Sequence, residues 1–219
     1  MAKVFVICGH GAGDPGACAG GQTEAELVRK LAVRIKELGG TDVSLGDMSV
    51  NWYKTNGIGK GLCPKGAMVC ELHMDSASPS ARGGHVIIKD GFAPDDFDKA
   101  LASFIGSFFP GRASTIVKRS NLANANRAAS AGVNYRLAEC GFITNDDDRA
   151  KFMNQLDDLA RGILQSAGVD ASAPEKPATP STPGKLYRVQ LGAFSIKSNA
   201  EKFADELRSK GYKPIITRY

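Results

Sequence analysis

Two rhythms of apolar and polar positions alternate along the first 169 residues. Lys3–Cys8 holds the unbroken apolar run Val4-Phe5-Val6-Ile7, the length of a buried strand. Thr23–Leu38 then shifts to helical spacing, with Val28, Leu31, Ala32, Ile35 and Leu38 on one side. Thr23 and Glu26 read as a capping box, and Gly39-Gly40 ends the helix. Ala67–His73 and His85–Lys89 read as strands, Asp95–Phe109 and Asn121–Ala131 as helices. Asn134–Glu139 is a further strand, and Asn145–Ala167 reads as one amphipathic helix behind an acidic first turn. Strands alternating with helices predict an α/β fold: a twisted, mostly parallel sheet flanked by helices on both faces. In such sheets ligands gather beyond the carboxyl ends of the strands.

The rhythm stops at Asp170. Residues 170–184 read DASAPEKPATPSTPG, with prolines at 174, 177, 180 and 183. That spacing favours extended chain without a core, so the stretch is a linker between a domain over 1–169 and a module over 185–219. The module predicts strand Leu186–Leu191, helix Asn199–Lys210 and strand Pro214–Arg218. Ser198 and Glu201 are the expected caps of this helix, Ala200, Phe203, Ala204 and Leu207 its apolar face, and Gly211 its end.

Composition narrows the classes. The chain has 219 residues and is 42% hydrophobic, which suits packed domains and excludes wholesale disorder. No apolar run approaches the ~20 residues of a membrane span. Met1 and Lys3 lead straight into the Val4–Ile7 run without a signal-peptide layout, so the expectation is a protein made in the cytoplasm. The five cysteines (Cys8, Cys18, Cys63, Cys70, Cys140) show no CxxC spacing and read as reduced thiols; Cys63 and Cys70 bracket a Pro-Gly segment and are the pair able to join outside the cell. The net charge of +5 sits at one end: residues 1–169 carry 19 basic and 18 acidic groups, residues 185–219 carry 8 and 3. Such a basic tail points to an anionic partner, a cell-wall polymer or a nucleic acid, or is simply a solvated surface.

Three strand ends carry metal-capable residues. They are Cys8-Gly9-His10-Gly11 followed by Asp14-Pro15-Gly16-Ala17, Glu71-Leu72-His73-Met74-Asp75-Ser76, and Leu137-Ala138-Glu139-Cys140-Gly141-Phe142. Glu24 joins them at the first turn of the first helix, where the positive helix end favours an ionised carboxylate. Two imidazoles and a carboxylate form a common catalytic zinc set, and a further carboxylate can serve as proton shuttle. Taken singly, such a residue at a strand end is more often a satisfied polar group than a functional one. His85, on the alternating run Gly84–Ile88, reads as structural or surface-facing. Asp146-Asp147-Asp148 reads as a helix start rather than a calcium site.

The string GHG…DPGA…E, then LHMDS, then ECGFITN, resembles the zinc-dependent N-acetylmuramoyl-L-alanine amidases called amidase type 3. The resemblance covers nearly all of residues 3–168, with the motifs in family order. It implies a sheet wrapped by helices and Zn2+ held by His10, Glu24 and His73. It also implies Glu139 as catalytic glutamate, and hydrolysis of the amide between N-acetylmuramic acid and L-alanine. Glu26 is the rival third ligand, set aside because Glu24 aligns with the family motif. The implied partner is peptidoglycan, both glycan and stem peptide, and not nucleic acid. Met74-Asp75 and Cys140 depart from the family's usual residues at those places, leaving the metal set intact. No inserted plug helix is evident, so the enzyme is expected to act without an activator. The biological role expected is that of a phage or prophage endolysin acting on the wall after release, with a mother-cell lysis enzyme close behind. The rival readings are a zinc peptidase cutting within the stem or cross-bridge, and a non-catalytic wall-binding protein.

The tail resembles half of a SPOR domain, through Tyr187–Ser195, Asn199-Ala200 and the helix ending at Gly211-Tyr212. Complete SPOR domains bind glycan stripped of peptide. Alternation sets Tyr187, Val189 and Leu191 on one face and Arg188 and Gln190 on the other, so Arg188, Gln190 and Arg218 are the candidate glycan contacts. One strand-helix-strand unit leaves a sheet edge open, and the expectation is a homodimer formed through this module.

Overall fold

The computed structural model describes residues 3–171, 192–210, 212 and 214–217. The chain divides into two compact units, Met1–Glu175 and Lys176–Tyr219.

The first unit is built on strands β1 (Val4–Cys8), β4 (Val43–Leu45), β5 (Met68–Asp75), β6 (His85–Lys89), β7 (Ile116–Arg119) and β8 (Tyr135–Phe142). Their order across the sheet is β4-β1-β5-β8-β6-β7. Neighbours run parallel except β6 against β8. A small hairpin, β2 (Cys18–Ala19) with β3 (Gln22–Thr23), leads into α1 (Glu24–Gly39). The remaining helices are α2 (Trp52–Thr55), α3 (Asp96–Phe108), α4 (Ala123–Ala131), α5 (Asp146–Asn154) and α6 (Leu156–Ser166).

Helices cover both faces, as the alternation predicts. On one face α1, α3 and α6 pack Leu31, Ile35, Leu101, Ile105 and Ile163 over Val6, Leu72 and Ala138. On the other, α2 and α4 bring Trp52, Ala125 and Ala128 against Phe5, Ile7, Val69 and Leu137. The period of two thus sends alternate residues of each strand into different cores, which is why the strands read as unbroken apolar runs.

Several local expectations need correction. The Asn145–Ala167 helix is two helices, broken at Gln155 (φ −123°, ψ 37°). Asp157 and Asp158 form a second acidic helix start, and Arg34 grips Asp157 at 2.6 Å. The Thr23 hydroxyl accepts from the Glu26 amide, but the reciprocal capping box stands at α3, between Asp95 and Asp98. Strands β4 and β7 and the short helix α2 lacked a periodic signal long enough to be read. Among the described residues no helix is long and apolar enough to cross a membrane. All five cysteines are free thiols, with Cys70 buried and Cys63 half-buried.

In the second unit the helix is α7 (Lys197–Ser209). Its N-cap is Ile196 and makes no side-chain capping bond; Ser198 lies inside the first turn, and Glu201 pairs with Lys197 at 3.3 Å instead of capping. Ala204 is buried, and Phe203 meets Phe194 with ring centroids 5.6 Å apart. Pro214–Thr217 form no strand, correcting that expectation. The Leu186–Leu191 strand, Arg188, Gln190 and Arg218 lie outside the described residues.

Candidate metal centre

The strand register lays out the site. His73 is the register partner of Glu139 on β8, and Glu139 in turn that of His85 on β6. On the other side Gly9 directly follows Cys8, the partner of Leu72, and its amide donates to the Leu72 carbonyl at 2.9 Å. Gly9, His73, Glu139 and His85 therefore form one row across four adjacent strands, at the carboxyl ends of β1, β5 and β8. Gly9 has to be glycine there: a Cβ would stand 2.3 Å from the His73 ring. Just past Glu139 the ladder slips, with Asp75 opposite Phe142, and Gly141 takes φ 77° in the bulge.

His10 leaves the end of β1 in the left-handed region, φ 57°. Arg29 of α1 holds that turn, donating to the Gly9 and His10 carbonyls at 3.1 and 3.0 Å and to Met48 O at 3.0 Å. Glu24, the first residue of α1, is 3% exposed and lies between the two imidazoles. Its Oε2 is 3.2 Å from His10 Nε2 and its Oε1 is 2.8 Å from His73 Nδ1. The Ala17 and Met74 amides also donate to it, each at 3.1 Å. One donor atom from each of His10, Glu24 and His73 lies within 4.8 Å of the others. Glu26, the rival ligand, is exposed on the outer side of α1.

The far nitrogen of each imidazole also meets a carboxylate. His10 Nδ1 is 3.3 Å from Asp14, and His73 Nε2 is 3.2 Å from Glu71. Carboxylates behind imidazoles are a mark of metal-binding histidines, because they fix the tautomer and leave the other nitrogen's lone pair for the ion. The donor set thus fits zinc, which takes imidazole nitrogen and carboxylate oxygen and keeps a position open for water.

The electrostatics follow from this crowding. Burial opposes ionisation of Glu24, but bonds from His10 and His73 outweigh it and hold the carboxyl far below the usual range. The Glu24 bond raises His10; His73, despite burial, is raised well above its ordinary value by Glu24 and Glu71. Glu139 is different: burial pushes it up to about 7 against the pull of His73. Its Oε2 is buried with no hydrogen-bond partner among the described residues, so a strong acceptor is left unspent.

His85, read as structural or surface-facing, is buried, which leaves the structural reading and sets the surface-facing one aside. It is 2% exposed and stands beside the site, its Nε2 3.3 Å from Arg112. Burial, aided by the Arg112 charge, lowers it to about 4, so the ring is neutral at pH 7. Arg112 also donates to Asp75 at 2.5 Å and stacks 5.1 Å from the centroid of Phe142. Asp14, Glu71, Arg112 and Arg29 went unassigned in the sequence. For Glu71 a signal existed, since a residue two before His73 on a strand shares its face. Arg112 comes from a loop 37 positions beyond Asp75 and left none. The Asp146–Asp148 run is a helix start: Asp148 is buried and accepts from the Gly83 and Phe142 amides at 2.8 and 3.0 Å.

Residues 4–167 match the family described as N-acetylmuramoyl-L-alanine amidase, and residues 183–219 match the SPOR domain. A probable autolysin PH of Staphylococcus aureus is 32% identical over 173 residues, 67% of this chain and 34% of that protein. The chain therefore spans about a third of the length of this relative. A sporulation-specific N-acetylmuramoyl-L-alanine amidase of Bacillus subtilis is 25% identical over 225 residues, 99% of this chain and 84% of that protein. Among solved structures, the catalytic domain of CD27L endolysin targeting Clostridia Difficile superposes with a TM-score of 0.62 at 16% identity, covering 76% of this chain and 97% of that one. At that identity the likeness speaks for the fold.

Proposed function

Because the chain belongs to the N-acetylmuramoyl-L-alanine amidase family, we propose that it hydrolyses the amide joining N-acetylmuramic acid to L-alanine in peptidoglycan, with zinc held by His10, Glu24 and His73 and with Glu139 as proton carrier. The observation that carries this reading is one juxtaposition. A cluster of two imidazoles and a carboxylate sits one strand away from a buried carboxylate, one of whose oxygens has no partner among the described residues.

When bound, zinc would polarise the scissile carbonyl and acidify water at neutral pH. The other tasks fall to the chain. Glu139, poised near 7, is ionised in a large share of molecules at neutral pH and takes a proton from attacking water on Oε2. It then delivers that proton to the departing L-alanine nitrogen, which needs one to leave as an amine. Arg112 and the neutral His85 border Glu139 and leave buried polar atoms, Arg112 Nε and His85 Nδ1, without partners among the described residues. Arg29 keeps the His10 turn in its left-handed form, so the nitrogen facing Glu24 does not swing away.

The tail's resemblance to SPOR domains supports a role in holding the enzyme on glycan, with Arg188, Gln190 and Arg218 as contacts. Cell-wall lysis is the biological role this reading gives. A holin gene beside its own identifies an endolysin; expression in the sporulating mother cell identifies the host enzyme.

The test is digestion of purified peptidoglycan. Free stem peptide beginning with L-alanine is expected, lost on chelation and restored by zinc. Release of reducing sugar without free peptide overturns the reading in favour of a glycosidase, and fragments cut inside the stem overturn it in favour of a peptidase.

A further inference from the structure

Glu71 is an unusual residue to find where it stands. It is 3% exposed, and among the described residues no lysine or arginine pairs with it. An isolated buried carboxylate is costly, so its partners have to account for it. Asn124 Nδ2, from α4, lies 3.1 and 3.0 Å from its two oxygens, and the Tyr135 hydroxyl, from β8, donates at 2.5 Å. Arg127 sets the orientation of the Asn124 amide by donating to its Oδ1 at 2.8 Å, which turns the NH2 end toward Glu71. The remaining partner is His73 Nε2 at 3.2 Å. The neutral donors satisfy the oxygens but supply no compensating charge. A positive charge on the His73 side would, carried by the ring itself or by an ion bound to its other nitrogen.

We propose that Glu71 is a positioning residue for the metal centre: it accepts the Nε2 proton of His73 and thereby commits Nδ1, the nitrogen 2.8 Å from Glu24, to the metal. The inference rests on the zinc reading of His10, Glu24 and His73. Arg127, Asn124, Glu71 and His73 then form one connected chain from the protein surface to the ion. Asn124 and Tyr135 hold the carboxylate still. The carboxylate holds the ring, and its charge makes Nδ1 a stronger donor.

The experiment uses the full chain, loaded with zinc and titrated against a chromophoric chelator, as wild type, Glu71→Gln and Glu71→Ala. Zinc affinity is expected to fall by about 10- to 100-fold in Glu71→Ala and by less in Glu71→Gln, which keeps an acceptor oxygen without the charge. The zinc-stripped Glu71→Gln protein should still fold, with some loss of stability, because its amide NH2 meets donors that the carboxylate now satisfies. In long-range 1H–15N spectra of the zinc-loaded wild type, the His73 proton should sit on Nε2. A purely structural Glu71 would leave zinc affinity unchanged however much stability the stripped protein lost, and that overturns the proposal. So does a proton on Nδ1. Failure of the wild type itself to take up zinc would overturn the metal reading as well, and is seen before any variant is compared.

Discussion

His73 and Glu139 face each other as register partners on neighbouring parallel strands. The proposed ligand and the proposed proton carrier are therefore spaced by a backbone ladder rather than by loops, and side-chain changes at one leave the other in place. Glu139→Gln should lower kcat for peptide release by about 100- to 10,000-fold, the usual range for loss of a general base. Zinc content, measured by metal analysis, should stay at the wild-type level. Retained turnover would remove Glu139 from the mechanism.

Glu139 also predicts a pH signature in stability. Its folded pKa of about 7 lies above the ordinary 4.5, so the folded chain keeps a proton that the unfolded chain releases. The sign follows: the contribution is full below about pH 4.5 and is lost as pH rises through 7. In zinc-stripped protein, denaturant titrations should show wild type losing stability relative to Glu139→Gln across that window, by at most about 3 kcal/mol. Parallel curves for the two proteins would contradict the raised pKa.

Gly9 is expected to be intolerant of any side chain. The Cβ of Gly9→Ala would enter the His73 ring, and the ring has Glu71 and Glu24 holding its two nitrogens. Zinc affinity should drop at least about tenfold, a loss typical of disturbing a ligand's support. Competition with a chelator reads this directly, and circular dichroism should show an unchanged fold. Normal affinity would mean that the ring yields without cost.

Far from the cleft, Arg136 is wholly buried and rests on Asp98 at 2.7 Å and Asp95 at 2.9 Å, beneath the Phe97 ring. Asp98 also completes the α3 capping box. Asp98→Ala should cost about 3–5 kcal/mol, because it strands a buried guanidinium. Urea unfolding at constant m-value measures it; a cost below 1 kcal/mol would show that Asp95 suffices alone.

The sequence disclosed the layers because each central strand is apolar on both sides, and a run such as Val4–Cys8 has few other readings. It disclosed the strand-end residues for the same reason: His10, His73 and Glu139 interrupt apolar runs. What stayed hidden depends on pairing. Nothing local says that β6 runs against β8, and only that reversal brings His85 beside Glu139. Strand β4, with three residues, is too short to show a period. The tail helix began earlier than expected because Ser198 and Glu201 have the right spacing for a cap while Lys197 competes for the Glu201 carboxylate.

That same reversal of β6 fixes where residues 76–84 can go. They leave the end of β5 and enter β6 at the same edge of the sheet, tethered through Ala77 to Thr144, Pro79 to Asn145 and Gly83 to Asp148. The segment borders the cleft without supplying any of its strands. Mutation can lengthen or reshape it without touching the ladder that spaces His73 and Glu139. Selection thus has a place to change what the cleft admits while the chemistry is inherited intact.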